Sequence, residues 1–318
     1  DATAGIRSLD GTSAATAAEI PRLLVRTGAV SSEPGTVTMD GVDDESPSVA
    51  ATPGGYTVVW TRPSPADLAT NGPRTAGDDV YVSRFDPVQG EWSAPEPLVA
   101  DGLSDADPDI AVAPNGEHLV AWTVIDAPLG ELGSPEEALP HTEIAAVTGD
   151  GTSWSAPTRL TDDDSPDFSP ILATGTDEAL VAWETDGDGN ASTSNDRGVR
   201  FVTVAADGSR GPTETIDAAQ APAVSTRPDG TFTLAYFAPE DPDTEDRNGT
   251  VVLGRVDGGT FTTEAAYGTT EFRELSVAGD AIVWVDQPAN ASVLTYVSEP
   301  GAPPAPVETR RQIGRAHV

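Results

Sequence analysis

The sequence predicts an all-β protein, a β-propeller of four-stranded antiparallel blades. Three observations support this: a motif that recurs five times, an apolar period of two residues without a sustained helical period, and four predicted strands in each repeat. The second strand of each motif ends at an aromatic residue, and these recur 62, 61, 53 and 48 residues apart: Trp60, Trp122, Trp183, Tyr236 and Trp284. Repeats of this length are typical of units that bury their apolar faces against one another.

The first two strands of each repeat are predicted to form a hairpin. In the second repeat the strands are residues 110–113 and 119–122, and Pro114-Asn115-Gly116 is the turn between them. Residues 53–55 and 228–230 are the matching turns, in which proline presets φ and glycine supplies the left-handed position. These are strong hairpin signals.

A third, apolar strand follows a polar insert in each repeat, and a fourth, more polar strand follows after a turn. The predicted third strands are 80–85, 143–148, 199–205, 251–256 and 292–297. The predicted fourth strands are 94–99, 156–161, 211–216, 262–266 and 305–309. Apolar inner strands and polar outer strands are typical of a propeller blade.

The repeats divide the chain into five blades and one half blade. The predicted blades are 41–101, 102–163, 164–217, 218–268 and 269–312, and residues 19–40 resemble the outer half of a further blade. Because a ring without exposed edges needs that half completed, we expect a native propeller of six or more blades in a longer chain. Residues 1–18 are a predicted flexible lead-in, and residues 313–318 a suspected non-native tail.

The charge of the chain restricts its setting and its partners. Asp and Glu number 52 against 17 basic residues, all of them arginine, which gives a net charge of −35. Because high salt screens self-repulsion of this size, we expect a halophilic origin; an ordinary acidic secreted domain is the alternative. Nucleic acid and anionic membranes are not expected partners, since both need a basic face. The chain has no cysteine, and no apolar run approaches the roughly 20 residues of a membrane span.

The turns between the third and fourth strands carry a recognisable pattern. It occurs at residues 148–157, with Asp150 and Trp154, at 85–95, and in shorter form at 205–212 and 256–261. These turns resemble the Asp-box turns of sialidase-like BNR-repeat propellers, although the spacing from aspartate to tryptophan differs. The resemblance implies that the aspartate caps turn amides and that the tryptophan packs between sheets. It therefore concerns the fold more than the activity.

The same resemblance implies a catalytic set of an arginine triad, a Tyr–Glu nucleophile pair and an acidic acid/base. Phe272-Arg273 precedes a first strand, where that family carries an arginine, but Glu274-Leu275 replaces its Ile-Pro. No tyrosine stands out as a nucleophile with a nearby general base. We therefore assign no catalytic residue from the sequence.

Acidic clusters lie between each outer strand and the next inner strand, where a propeller opens its channel. They are either solvated charges or a ring of negative potential that attracts cationic groups. Three residues of these clusters, Asp105, Asp107 and Asp163, are assigned to a candidate ligand face, together with the strand-end arginines Arg62 and Arg273.

One insert carries the oxygen spacing of a calcium loop. Asp186, Asp188 and Asn190 alternate as calcium ligands do, although an EF-hand would have glycine next and a closing glutamate. Calcium is the only cofactor that the sequence suggests, and a flexible acidic loop is the alternative. Asn190, Asn248 and Asn290 each begin a glycosylation sequon, which favours an extracellular or cell-surface location.

These features favour a non-catalytic binding or scaffold module whose long loops, on one face, bind a glycan, a protein or a cation. The alternative is a sialidase-like glycoside hydrolase or lyase. A third interpretation is a purely structural unit of a larger surface protein. An arginine cluster with a Tyr–Glu pair at the channel mouth would favour the enzyme.

Overall fold

The computed structural model of the chain describes residues 37–38, 40–69, 77–132, 134–189, 196–206, 208–242, 247–286, 293–297 and 299–306. These residues form five antiparallel sheets that follow one another along the chain. The predicted half blade at 19–40 and the two predicted ends, 1–18 and 313–318, lie almost wholly outside this range and stay predictions. Among the helices that the structure describes, none has the length and apolarity needed to cross a membrane.

The first two sheets begin with long inner strands and end with short outer ones. The first consists of β1 (Glu45–Thr52), β2 (Gly55–Pro63), β3 (Asp78–Asp86), β4 (Glu91–Trp92) and β5 (Glu96–Pro97). The second consists of β6 (Ser104–Val112), β7 (His118–Ile125), β8 (Thr142–Gly149) and β9 (Thr158–Arg159). Each hydrogen-bonds in chain order, with β4 and β5 both pairing with β3. The short helices α1 (Pro65–Leu68) and α2 (Pro135–Ala138) lie between second and third strands.

The other three sheets have the same order. The third consists of β10 (Asp167–Thr174), β11 (Glu178–Asp186), β12 (Arg197–Ala205) and β13 (Glu214–Asp217). The fourth consists of β14 (Gln220–Thr226), β15 (Phe232–Pro239), β16 (Gly249–Asp257) and β17 (Thr260–Thr269). The fifth consists of β18 (Phe272–Ala278), β19 (Ala281–Asp286), β20 (Val293–Val297) and β21 (Ala305–Pro306). The prediction of a propeller of four-stranded blades is confirmed.

The apolar residues form one core between each pair of successive sheets. Trp122 packs with Val59 and Val82 of the first sheet, and Trp183 packs with Ile144 of the second. Tyr236 and Trp284 follow the same rule: Tyr236 lies in the core against the third sheet, and Trp284 in the core against the fourth. Trp60 packs instead with Tyr81 of its own sheet, and with Val37 and Trp92. The second to fifth blades thus place their aromatic against the blade before, and burial of these faces stabilises the array at roughly 25 cal/mol per Å² of apolar area.

The outer strands are shorter than the sequence predicts in most blades. Residues 94–99 and 156–161 contribute only the two-residue pairings of β5 and β9 to the ladder. Pro95, Pro97 and Pro157 fall in these stretches, and a proline has no N–H to donate to the next strand. In the fourth blade the outer strand β17 contains no proline and runs for ten residues.

The first strand of every blade has a register irregularity near its start. It lies between Glu45 and Ser48 in β1, between Ala106 and Asp109 in β6, and between Phe168 and Ile171 in β10. In the first four blades a proline, which cannot donate to the ladder, lies within the irregularity; the fourth is Pro222, between Gln220 and Ala223. In the fifth blade the irregularity, between Phe272 and Glu274, contains Arg273 instead. The residues just before these prolines have positive φ: Ser46 at 49°, Asp107 at 46°, Ser169 at 54° and Ala221 at 49°.

Candidate functional site

An open cleft lies where the first strands of three consecutive blades meet. Its volume is about 390 Å³, and its walls are the bulged segments around Ser46, Asp107 and Ser169. Positive φ is uncommon for residues other than glycine, and pre-proline residues favour extended backbone. Strained backbone of this kind tends to collect at ligand sites. The bulges aim one polar side chain from each blade at a common point.

The Asp107 carboxylate is the centre of this cleft. Its Oδ1 accepts a hydrogen bond from Ser46 Oγ at 3.0 Å, and its Oδ2 accepts one from Ser169 Oγ at 3.2 Å. The Ser169 N–H in turn donates to Thr123 Oγ1 at 2.9 Å, which fixes the third blade against the second. Asp107 is exposed to solvent, so a ligand entering the cleft meets an oriented carboxylate.

Asp109 lies two residues farther along β6 and has a different environment. Its Oδ1 accepts from Ser48 Oγ at 2.5 Å, and its Oδ2 accepts from the Leu172 N–H at 2.8 Å. Desolvation by burial raises the pKa of this carboxyl above the ordinary value for aspartate. The cleft therefore holds two carboxyl groups, one open to solvent and one covered.

Three further acids are buried in the first two blades: Asp79, Asp105 and Glu143. For Asp105 the sequence suggests a solvated cluster instead. Asp105, Val124 and Glu143 lie opposite one another across three strands of the second blade. Desolvation, together with the charge of Asp101, raises the pKa of Asp105 to about 8. Desolvation likewise raises the pKa of Glu143 to about 7 and that of Asp79 to about 7.

Two members of the predicted ligand face are buried and contact other protein groups. Asp105 is 2% exposed and accepts a hydrogen bond from Trp122 Nε1 at 2.7 Å. Arg62 is 6% exposed, and its guanidinium bonds Asp44 and Asp40 and lies over the Tyr81 ring. Both residues hold the fold together through ordinary local partners, which the linear pattern does not reveal.

The other members of the predicted face are dispersed. Asp163 is exposed and forms an ion pair with Arg200 at 2.8 Å. Arg273 is exposed and lies 3.6 Å from a Glu271 carboxylate oxygen, in the fifth blade. Only Asp107 of the five predicted residues lies in the cleft. Ligand binding by any of them stays a prediction.

Sequence reasoning missed Ser46, Ser169 and Asp109. The available signal was the small or acidic residue directly before the proline that opens each first strand. A bulge forms there only when the strand pairs with its neighbour, so the pairing in the sheet determines where these side chains point.

The predicted calcium loop lies at the end of the third blade. Asp186 and Asp188 are grouped there with Asp196, a residue that the sequence analysis does not include. Asn190 lies outside the described residues, as does the sequon at Asn290. Asn248 is described, and its Oδ1 accepts a hydrogen bond from the Glu271 N–H at 3.3 Å. Glycosylation at all three positions stays a prediction.

The turns that resemble Asp boxes have capped amides. Asp150 Oδ1 accepts hydrogen bonds from the N–H groups of Thr152 and Ser153, each at 2.8 Å. Trp154 packs edge-on against the buried His118. These contacts hold the turn to the blade and leave no side chain of the turn directed at the cleft.

No family model and no curated protein matches the sequence. Solved structures do match. An α-L-arabinanase of Penicillium chrysogenum, complexed with arabinobiose, is 13% identical with a TM-score of 0.51, over 83% of this chain and 80% of that chain. A protein of unknown function from Dyadobacter fermentans is 13% identical with a TM-score of 0.53, over 84% of each chain. The NanB sialidase of Streptococcus pneumoniae is 10% identical with a TM-score of 0.52, over 82% of this chain and 60% of that chain. These similarities concern the fold, and they support a sialidase-like propeller.

Proposed function

We propose that this protein is a glycoside hydrolase that binds its glycan in the cleft at Asp107. The observation that carries the proposal is the exposed Asp107 carboxylate, held by hydroxyls from two neighbouring blades. An oriented carboxylate accepts hydrogen bonds from sugar hydroxyls and can act as the base or nucleophile of glycoside hydrolysis. Glycan chemistry also agrees with the matching arabinanase and sialidase structures, since both of those proteins act on glycans.

Hydrolysis needs a second carboxyl group that holds a proton. Asp109 meets the electrostatic part of this need, because burial raises its pKa. It lies on the same strand and lines the same cleft as Asp107. We assign Asp107 the role of the ionised carboxylate and Asp109 that of the proton donor.

A specific observation favours a second candidate, a glycan-binding module without catalysis. Both oxygens of Asp109 already accept hydrogen bonds, from Ser48 Oγ and from the Leu172 N–H. A carboxyl engaged in this way stabilises the contact between three blades. It serves as a proton donor to substrate only after the Ser48 hydroxyl has turned away.

The test compares cleavage and binding in the same protein. Arabinan oligosaccharides, sialylated oligosaccharides and chromogenic glycosides are screened for release of reducing sugar or chromophore, and for binding by calorimetry. For a hydrolase, we expect Asp107→Asn to lower the rate at least 100-fold while the melting temperature stays close to that of the wild type. Asp164→Asn, which changes an exposed acid outside the cleft, is the matched control.

The outcomes separate the two candidates. Binding without cleavage, weakened by Asp107→Asn, would favour the binding module. Cleavage or binding that Asp107→Asn leaves unchanged would exclude this cleft as the site. Ser46→Ala and Ser169→Ala are expected to have smaller effects, because each removes one of the two hydroxyls that orient the carboxylate.

A further inference from the structure

Three carboxylates meet where β11 ends and β12 begins. Asp186 is the last residue of β11, Asp188 lies two residues beyond it, and Asp196 directly precedes β12. Asp186 pairs with Arg197 in the register of β11 and β12. Asp196, the residue before Arg197, therefore lies close to Asp186. One carboxylate oxygen from each of the three lies within 4.8 Å of the others.

Asp196 supplies an observation that the clustering alone does not. Both of its carboxylate oxygens are shielded from solvent, and neither accepts a hydrogen bond in the structure. The side chain folds over the turn, because a Cβ placed on Gly187 would lie 3.1 Å from Asp196 Oδ2. Removing a carboxylate from water without a donor is costly, so these oxygens call for a cationic partner.

One arginine lies beside the group and contacts Asp186. Arg197 Nε is 3.9 Å from Asp186 Oδ2, and Arg197 Nη1 is 3.6 Å from Glu184 Oε2. The same guanidinium lies over the Phe168 ring, 5.6 Å from its centroid. Three grouped aspartates beside one guanidinium carry a negative formal charge.

We propose that Asp186, Asp188 and Asp196 bind a Ca²⁺ ion. Calcium takes six to eight oxygen ligands at about 2.3–2.6 Å, so two oxygens on one ion lie at most about 5 Å apart. The spacing of the three carboxylates satisfies this limit. An all-oxygen set selects a hard cation over zinc or copper, which prefer nitrogen or sulfur. Water and backbone carbonyls complete the shell.

The site lies at the same edge of the third blade as the cleft. Asp167, at the start of β10, faces Thr185 in β11, and the Asp186 N–H donates to the Pro166 carbonyl at 3.0 Å. A bound cation would therefore join the end of β11 to the start of β12 beside the inner strand. This proposal does not depend on the proposed glycan chemistry.

The test measures saturable binding of Ca²⁺ alone to the metal-stripped full chain. Calorimetry in roughly 1 M NaCl, with excess Mg²⁺ present, suppresses the diffuse binding expected of a chain with net charge −35. We expect the wild type to bind one more Ca²⁺ than Asp196→Asn, or to bind it at least tenfold more tightly. The wild-type melting temperature should rise with Ca²⁺, and that of the variant should not.

Controls keep the result specific. Asp164→Asn removes the same charge elsewhere on the surface and should bind Ca²⁺ as the wild type does. Asp188→Asn changes the exposed member of the cluster, and it replaces Asp196→Asn if that variant does not fold. The proposal is overturned if the wild type shows no saturable Ca²⁺ binding in molar salt. It is also overturned if the cluster variant binds Ca²⁺ as tightly as the wild type.

Discussion

Asp105 accepts a hydrogen bond from the Trp122 indole N–H at 2.7 Å, with both residues buried. The first blade repeats the contact, because Asp44 Oδ1 accepts from Trp60 Nε1 at 2.7 Å. Each of these acids lies two residues before the positive-φ residue of its first strand. The recurring aromatic and the acid at the start of the inner strand therefore form one structural unit in these two blades.

Burial of Asp105 makes stability depend on pH. Its pKa is about 8 in the folded chain, because desolvation and the charges of Asp101 and Asp79 disfavour its ionised form, against about 3.9 unfolded. A raised pKa means that the folded state holds the proton more tightly. The stabilisation that comes from protonated Asp105 is complete below about pH 4 and is lost as the pH rises towards 8. We expect the wild-type free energy of unfolding to fall between pH 5 and pH 8.

Asp105→Asn isolates the contribution of this group. Asparagine keeps an oxygen acceptor for Trp122 and cannot ionise. Between pH 5 and pH 8, we expect the free energy of unfolding of the variant to fall by on the order of 2 kcal/mol less than that of the wild type, measured by urea unfolding at constant salt. Identical slopes for the two proteins would contradict the assignment. Asp79 and Glu143, with pKa values of about 7, contribute to the decline that remains, as do Asp109 and Asp167, whose pKa values burial also raises.

Gly254 is expected to tolerate no side chain. A Cβ there would lie 2.5 Å from the Phe261 ring and 2.5 Å from the Thr262 carbonyl oxygen, at the register shift between β16 and β17. We expect Gly254→Ala to destabilise the protein by about 1–3 kcal/mol through overpacking. Gly268→Ala, in the same outer strand pair, meets nothing within 4 Å and should stay within about 0.5 kcal/mol. Equal melting temperatures for the two variants would refute the predicted clash.

Arg227 connects the fourth and fifth blades through buried charge. Its guanidinium bonds Glu264 Oε2 at 2.6 Å and Asp280 Oδ1 at 3.1 Å, and its side chain is 3% exposed. We expect Arg227→Met to cost about 1–3 kcal/mol in unfolding free energy, because buried hydrogen bonds to the guanidinium are lost while its partly exposed partner carboxylates regain water.

Arg255 provides the matched control for that variant. It also contacts Glu264, at 3.3 Å, but its side chain is 35% exposed. Solvent screening limits such a pair to about 0–1 kcal/mol, so Arg255→Met should change chemical denaturation only slightly. A similar loss in both variants would show that burial does not set the strength of the Arg227 contacts.

Salt should stabilise the whole chain. A net charge of −35 repels itself in dilute buffer, and the Debye length shortens to about 3 Å at 1 M salt. We expect the melting temperature to rise by many degrees between about 0.1 M and 2 M KCl, measured by calorimetry. An unchanged melting temperature would remove the physical argument for a halophilic origin.

Much of the fold was predictable because each blade repeats local signals. Period-two alternation in β7 directs Val120 and Trp122 to one core and Leu119 and Ala121 to the next. The turn residues Pro114-Asn115-Gly116 fix the hairpin that places them. The outer strands were overestimated, since the apolar pattern ignores the prolines that interrupt pairing in β5 and β9.

The candidate site was predictable only in part. Asp107 belongs to the predicted ligand face, but its partners Ser46 and Ser169 lie 61 and 62 residues away. Asp105, only two residues from Asp107, is buried because the bulge between Ala106 and Asp109 breaks the alternation that would place both on one face. The spacing of two neighbouring acids in the sequence does not predict which of them is exposed to solvent.

The sequence by itself determined the strands, the hairpin turns and the aromatic that each blade buries, because alternation and turn chemistry act over a few residues. Tertiary structure alone decided which carboxylates are exposed, buried or grouped. Those outcomes depend on bulges, on register and on neighbouring blades far away in the chain. A carboxylate takes its chemistry from the water and donors around it, and only the assembled sheets supply those surroundings.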